Sequence, residues 1–397
     1  MSSSVTLTAA TRQNLLSLQD TAALTATTQN RLSTGLKVSS ALDNPVSFFT
    51  SQSLSQRSGD LGNLLDGISN GVQAIQAANQ GITSIQKLVD QAKSVANQAL
   101  STQITTTGTA STKYSAPAAD TTLNLFVNGV ATTAALTSSG TIDDAISSLN
   151  AAVGAGSFSK STDGTKIVMN ASADVEFKTS ADQTALGFKG GTNASGVTYD
   201  TTTAASQSTD LTVSGVSARA TLATQYNSLL TQIDQLASDS SFNGTNLISG
   251  KGDNKNLTIN FNPKGNSNLQ VLATDETSAG LKLNAITNKS AGTTTAGQGN
   301  FLLNDDINTT LNSLTSASSQ LRTDASTFGS NLSVVQNRQD FSKNLINILD
   351  TGSSNLTAAD LNQEAANSQA LSTRQSLGIS ALSLANQAQQ GILQLLR

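Results

Sequence analysis

Residues 58–100 read SGDLGNLLDGISNGVQAIQAANQGITSIQKLVDQAKSVANQAL, and this stretch decides the fold. Leu61, Ile68, Ile75, Ile82, Val89 and Ala96 fall seven residues apart without a miss. Three residues after each stand Leu64, Gly71, Ala78, Ile85, Ala92 and Ala99, all apolar or small. Heptads with that seam predict one long helix packed against other helices, a rod of roughly 65 Å at 1.5 Å per residue. Asn70-Gly71 is ordinarily a turn signal, but the heptad runs straight through it. A second series, Ile307, Leu314, Leu321, Phe328, Val335 and Leu349, keeps one seven-residue phase broken only by Ser342. It predicts the partner helix. A shorter helix is expected over about 218–238, where Leu222, Tyr226, Leu229, Ile233 and Leu236 alternate spacings of four and three.

The chain ends are amphipathic but less apolar. Leu15, Leu18, Ala22 and Leu32 lie on one N-terminal face, and Leu377, Ala381, Leu384, Ala388, Ile392 and Leu395 on one C-terminal face. Short helices flanked by Ala, Ser and Gln are marginal alone, so these faces are expected to order only against a partner surface. Asn44-Pro45 pairs an N-cap with a first-turn proline and should open a helix. The fold class is therefore mainly α: a long antiparallel helical bundle or coiled coil.

Composition removes whole classes of function. Among 397 residues there is no His, no Cys and no Trp. That excludes imidazole or thiolate metal sites, Cys-His and Ser-His-Asp nucleophiles, iron–sulfur clusters and disulfide scaffolds. Lys and Arg number 22 against 26 Asp and Glu, and aromatics are 4%, so the basic stripe that nucleic acid requires is missing. No run approaches the roughly 18 apolar residues of a membrane span. The opening MSSSVTLTAATRQNLLSLQD has no basic n-region and no apolar h-region, so export is expected to take another route than a secretory signal peptide. No cofactor and no catalytic residue is expected. This is the composition of a structural protein.

Between about 104 and 215 the heptad vanishes and the chain turns Thr-, Ser- and Gly-rich. TLNLFVNGVATTAAL predicts a hairpin about Asn128-Gly129, a favourable type I′ pair. Thr141 with Asp144 can cap a helix whose face is Ile142, Ile146, Leu149 and Val153, and KIVMN and VEFKTS read as strands. Such a length suits a small inserted α+β domain. A β hairpin element, SFNGTNLI followed by NLTINF and NLQVLA, is expected over about 241–285.

The acidic pair Asp143 and Asp144 is read as helix capping rather than a catalytic dyad, because adjacent helical residues do not face one another. Asp305 and Asp306 open the next helix in the same way. Asp163-Gly164 is a turn. No segment supplies the ligand spacing of a calcium loop.

RLSTGLKVSSALDNP, within a block of about 70 N-terminal residues, resembles the N-terminal signature of bacterial flagellins. AANSQALSTRQSLGISALSLANQAQQGILQLLR is similar to the C-terminal one, and SFNGTNLI to the tight β turn after the family's shorter core helix. The resemblance implies a terminal coiled-coil domain lining a filament lumen (1–41 and 361–397), a rod-shaped core with its hairpin (42–103 and 216–360) and a variable outer domain (104–215). The insert departs from the best-known members, whose outer domains follow the hairpin. Its NLFVNGV and TIDDAISSLNAA runs resemble a small module of flagellins and hook-associated proteins. Some members carry an outer zinc peptidase with an HExxH motif, which a chain without His cannot build. Members detected by the animal innate receptor carry an arginine-rich patch on the first core helix. The aligned stretch here keeps Lys87, with Val89 in the place of an arginine, then Asp90, and Gln91 in the place of a leucine, which implies weak detection.

What the resemblance implies for function is a subunit exported unfolded, polymerising into an extracellular flagellar filament for swimming. Its partners would be further copies of itself, other flagellins, the export apparatus and chaperone, and the cap and junction proteins, with no nucleic acid and no membrane insertion. A hook–filament junction protein is the alternative, separable by its low copy number. A glycan-binding role for the insert ranks lower, because its aromatics are few: Tyr114, Phe126, Phe158, Phe177, Phe188 and Tyr199.

Overall fold

The computed structural model describes residues 9–191, 208–252, 255–286 and 301–395. Its contacts divide the chain into two units: 1–69 with 260–268 and 336–397, and 70–259 with 269–335. In chain order the helices are α1 (Ala9–Thr34), α2 (Pro45–Ser101), α3 (Ile142–Val153), α4 (Ser180–Ala185), α5 (Val216–Asp239), α6 (Asn304–Thr357) and α7 (Leu361–Leu395). The strands are β1 (Thr105–Thr109), β2 (Thr121–Val127), β3 (Val130–Leu136), β4 (Phe158–Lys160), β5 (Ile167–Ala171), β6 (Val175–Phe177), β7 (Leu211–Ser214), β8 (Ser241–Phe242), β9 (Thr245–Asn246), β10 (Leu257–Asn260) and β11 (Asn268–Val271).

The two heptad series form α2 and α6, and each helix runs further than its seam. Asn44 caps α2, accepting the Ser47 N–H at 3.1 Å. In the second unit Ile68's successors Ile75, Ile82, Val89 and Ala96 are buried, as are Ile307, Leu314, Leu321, Phe328 and Val335 of α6. Burying each Ile or Leu contributes about 1.5–3 kcal/mol. Antiparallel pairing is visible in the polar contacts: Lys93 Nζ meets Thr315 Oγ1 in the second unit, and Ser51 shares a buried hydroxyl bond with Ser353 in the first. Ser342, which interrupts the series, is buried like its neighbours. The seam continues through it.

Gly71 is needed where it stands: a Cβ there would lie 2.5 Å from Ile259 Cδ1 of β10. The glycine therefore serves close approach of the hairpin and not a turn, and α2 passes through it unbroken. Asn243 and Gly244, both at positive φ, turn β8 into β9, and β10 pairs with β11.

The insert holds two antiparallel sheets, ordered β4-β5-β1-β7 and β3-β2-β6, over one apolar cluster that includes Leu123, Leu125, Phe158, Ile167, Met169 and Phe177. Asn128 and Gly129 take positive φ at the β2–β3 turn as their sequence predicts. The Thr141–Asp144 capping box is present. Asp143 does more than favour the helix dipole, since Lys160 Nζ lies 2.8 Å from it. Thr105 opposes Ser214 in the β1–β7 ladder, so the insert leaves and rejoins the helices at adjacent points. At its root Ile104, Phe126, Val216 and Leu302 form a small apolar cluster. Arg219 ties the same region, donating to the carbonyls of Thr102, Phe301 and Leu302 at 2.8–3.1 Å. Tyr226 packs edge-on against Phe301, and burial pushes its phenol up to about 12.

Glu276, after β11, is fully buried. Burial first, then the neighbouring Asp324 carboxyl of α6 and Asp275, push its carboxyl up to about 8, while Thr274 opposes them. The folded chain thus keeps this proton to about pH 8, whereas the unfolded chain loses it near the ordinary 4.5. Folding stability should fall as pH rises between those values and level off above, by on the order of a few kcal/mol. In Glu276→Gln this slope should flatten, with a higher urea midpoint than wild type at pH 9. Parallel midpoint curves for the two proteins at pH 5, 7 and 9 would exclude Glu276 as the source.

Candidate assembly surface on the terminal helices

α1 and α7 pair along their length within the first unit. The connection after α1 is fixed by backbone bonds: Gly35, at φ +70°, donates to Arg31 and accepts from Ala359, and Lys37 and Val38 donate to the Thr357 carbonyl. Asp360 caps α7, accepting from the Asn362 and Gln363 N–H groups. Arg31 Nη1 meets Glu364 Oε1 at 3.0 Å where the two helices begin their contact.

The seam between them mixes leucines with polar and small residues. On α1 it consists of Thr11, Leu18, Thr25 and Leu32, with Asn14, Thr21 and Thr28 between, all buried or half-buried. On α7 it consists of Glu364, Leu371, Gly378 and Ala385, with Ser368, Gln375 and Leu382 between. Both sets repeat every seven residues. The threonine hydroxyls are satisfied inside their own helix: Thr21 and Thr25 each donate to the carbonyl four residues back at 2.7 Å. Gly378 lets the helices close up, since a Cβ there would stand 3.2 Å from Leu18 Cγ.

Other large apolar residues stay outside the seam. Leu384 is 70% exposed, Leu377 66%, Leu16 61%, Ile379 56% and Leu24 51%. Of the faces expected from the sequence, Leu15, Ala22, Leu377, Ala381, Leu384 and Ala388 are exposed, whereas Leu18 and Leu32 turn into the intramolecular seam. The side chains of Ile392 and Leu395 lie outside the described residues. Spacing alone placed Leu15 and Leu18 on one stripe; the partner helix separates them. Leu16, Leu24 and Ile379 were missed. The signal that could have found the true seam was the seven-residue recurrence of threonine and small residues, which a search for apolar positions passes over.

An ordinary amphipathic helix turns its apolar side chains inward, and here several large ones are left outside. A bacterial flagellin N-terminal helical region matches residues 5–134, and a bacterial flagellin C-terminal helical region matches residues 311–396. The chain belongs to the bacterial flagellin family. That family is one of structural proteins, and its helical regions fit the long paired helices found here. Flagellin FljM of Caulobacter vibrioides is 34% identical over 176 residues, 44% of this chain and 59% of that protein. The flagellin of Brucella melitensis biotype 1 is 31% identical over 180 residues, 44% of this chain and 61% of that protein. Flagellin C of Rhizobium meliloti is 40% identical over 77 residues, 19% of this chain and 24% of its own length. The matches thus span about 60% of the first two flagellins' length.

Among the stretch aligned to the innate-receptor site, Val89 is fully buried in the seam of α2. It cannot face a receptor, and an arginine at 89 would have to be buried. Lys87, Asp90 and Gln91 are exposed. Val89 therefore belongs to the core seam, as its heptad position has it. No helix among the described residues is long and apolar enough to cross a membrane.

Proposed function

We propose that the chain is the structural subunit of a flagellar filament, exported unfolded and polymerised outside the cell for swimming. The observation that carries this reading is the terminal pair, which leaves Leu377, Ile379 and Leu384 exposed outside its own seam. Covering those side chains with identical neighbours would release apolar surface from water at about 25 cal/mol per Å². In this reading residues 1–41 and 361–397 form the lumen-side domain, 42–103 and 216–360 the rod, and 104–215 an outer domain. Export apparatus, chaperone, cap and junction proteins are its further partners. Weak recognition by the animal innate receptor belongs to the same proposal.

Seeded polymerisation followed by electron microscopy tests it. Long filaments growing from seeds are expected, together with a dominant share of the protein sheared from cells. Single short ends at seed tips, or a scarce sheared product, would favour a junction protein instead. Limited proteolysis of dilute monomer should trim roughly the first and last 40 residues before the rod, because a threonine- and glutamine-lined pair stabilises itself weakly. Terminal segments as resistant as α5 would contradict it.

A further inference from the structure

The first unit carries a second unpartnered apolar feature, away from the terminal pair. Leu42 is 95% exposed, Val46 77% and Phe49 58%. Val46 and Phe49 are three residues apart on one face of the first turns of α2, and Leu42 stands in the turn just before that helix, so the three form an exposed apolar ridge at its start. The ridge is rigid. The Asp43 carboxylate accepts from the backbone N–H groups and hydroxyls of Ser39 and Ser40. These bonds hold the Asp43 carboxyl below its ordinary range and keep it charged beside Leu42. Phe48 stacks edge-on against Phe49. Few surface loops hold an aliphatic side chain so far out on so constrained a backbone.

The same unit also holds a groove of about 700 Å³ between the β10–β11 turn and the two long helices. Phe261, Phe341 and Leu345 line it, with Arg338 stacked over the Phe261 ring at 5.6 Å. Its charged residues are Arg57, Lys264 and Arg338 against Asp60, three cations to one carboxylate. An occupant should therefore bring apolar side chains and a negative charge. The ridge brings both.

We propose that the Leu42–Phe49 ridge of one copy docks into the Phe261–Phe341 groove of a second copy. This rests on the filament reading and names one contact within it. Ridge and groove are different patches of one molecule, so the contact is head-to-tail, and where the rotation between copies does not close a ring it repeats into an open filament. Leu42 enters between the two phenylalanines, and Asp43 approaches the arginine side of the groove while its loop bonds persist.

The natural chain has no cysteine, so single-cysteine variants report the contact directly. Leu42→Cys and size-tagged Phe341→Cys, mixed, grown from seeds and oxidised with a copper catalyst, should give mixed disulfide dimers. Their yield should be at least tenfold above the same mixture held as monomer, and tenfold above Leu42→Cys mixed with Asn355→Cys. Ser267→Cys serves as a second groove position if Phe341→Cys does not assemble. Filaments that cross-link at neither groove position, or no better than at Asn355, overturn the contact and leave the filament reading standing; in that case the ridge serves another partner. A wild-type chain that never grows from seeds removes the filament reading and this contact with it.

Discussion

Leu384→Asp should abolish filament growth while leaving the monomer as helical and as stable as wild type. Leu384 is 70% exposed in the chain by itself, so its replacement removes no intramolecular packing, and exposed substitutions ordinarily change stability by within about 0.5 kcal/mol. Assembly is the opposite case. If the exposed stripe is covered by neighbouring copies, each added subunit must bury a carboxylate with no partner, at a cost of several kcal/mol. At 1.4 kcal/mol per factor of ten, the concentration needed for growth should rise by roughly a hundredfold or more. Circular dichroism, thermal melting and seeded light scattering separate the two effects. A matching substitution in the intramolecular seam, Leu371→Asp, should instead loosen the α1–α7 pair in the free monomer. Wild-type growth from Leu384→Asp would show that the stripe faces solvent in the polymer.

The contrast between these two leucines marks how far the sequence could be read. The seam of α2 and α6 is apolar at nearly every seventh residue, and a rod buried inside its own chain must be; pattern and packing coincide. On the terminal pair they part. There the intramolecular seam mixes Leu18, Leu32, Leu371 and Leu382 with threonines, Gln375 and Gly378, while other leucines are left outside, so a reading that equates apolar with inward puts Leu18 beside Leu15 and overlooks Thr21. At Val89, inside the receptor-aligned stretch, pattern and packing coincide again: it occupies the heptad seam and is buried there. In the insert, capping and turn chemistry were legible because Thr141–Asp144 and Asn128-Gly129 act over a few residues. Strands β1 and β7, TTTGT and LTVS, carry no alternation strong enough to announce a sheet. They are strands because β1 pairs with β7 on one side and with β5 on the other, which is knowledge of position rather than of local sequence. The contact ridge at Leu42 was visible only as the tail of a motif, since nothing in the letters says that Asp43 would hold its loop open to solvent.

Deleting the insert is the second large effect, and here the expected loss is of width rather than of assembly. Thr105 and Ser214 are antiparallel partners, so opposed positions in such a ladder lie only about 4.5–5.5 Å apart. A Gly/Ser linker of about four residues in place of 106–213 can span that gap with little closure cost. The long seams lie outside the deleted segment, and so do the Arg219 bonds to Thr102, Phe301 and Leu302. What is lost is the cover that Phe126 and Val213 give to Ile104, Val216 and Leu302 at the root, worth about 1–3 kcal/mol by the area removed. The shortened chain should therefore melt several degrees lower, with helical signal per residue increased because, among the described residues of the removed part, only the short α3 and α4 are helical. Its filaments, grown from seeds, should be thinner than wild type, since in the proposed reading residues 104–215 stand outside the rod. Replacing Ile104 by Thr in the deletion variant should recover solubility if the uncovered root proves sticky. A deletion protein that melts cooperatively yet never polymerises would place subunit contacts on the insert itself, and residues 104–215 would then have to sit between copies rather than on the outer surface.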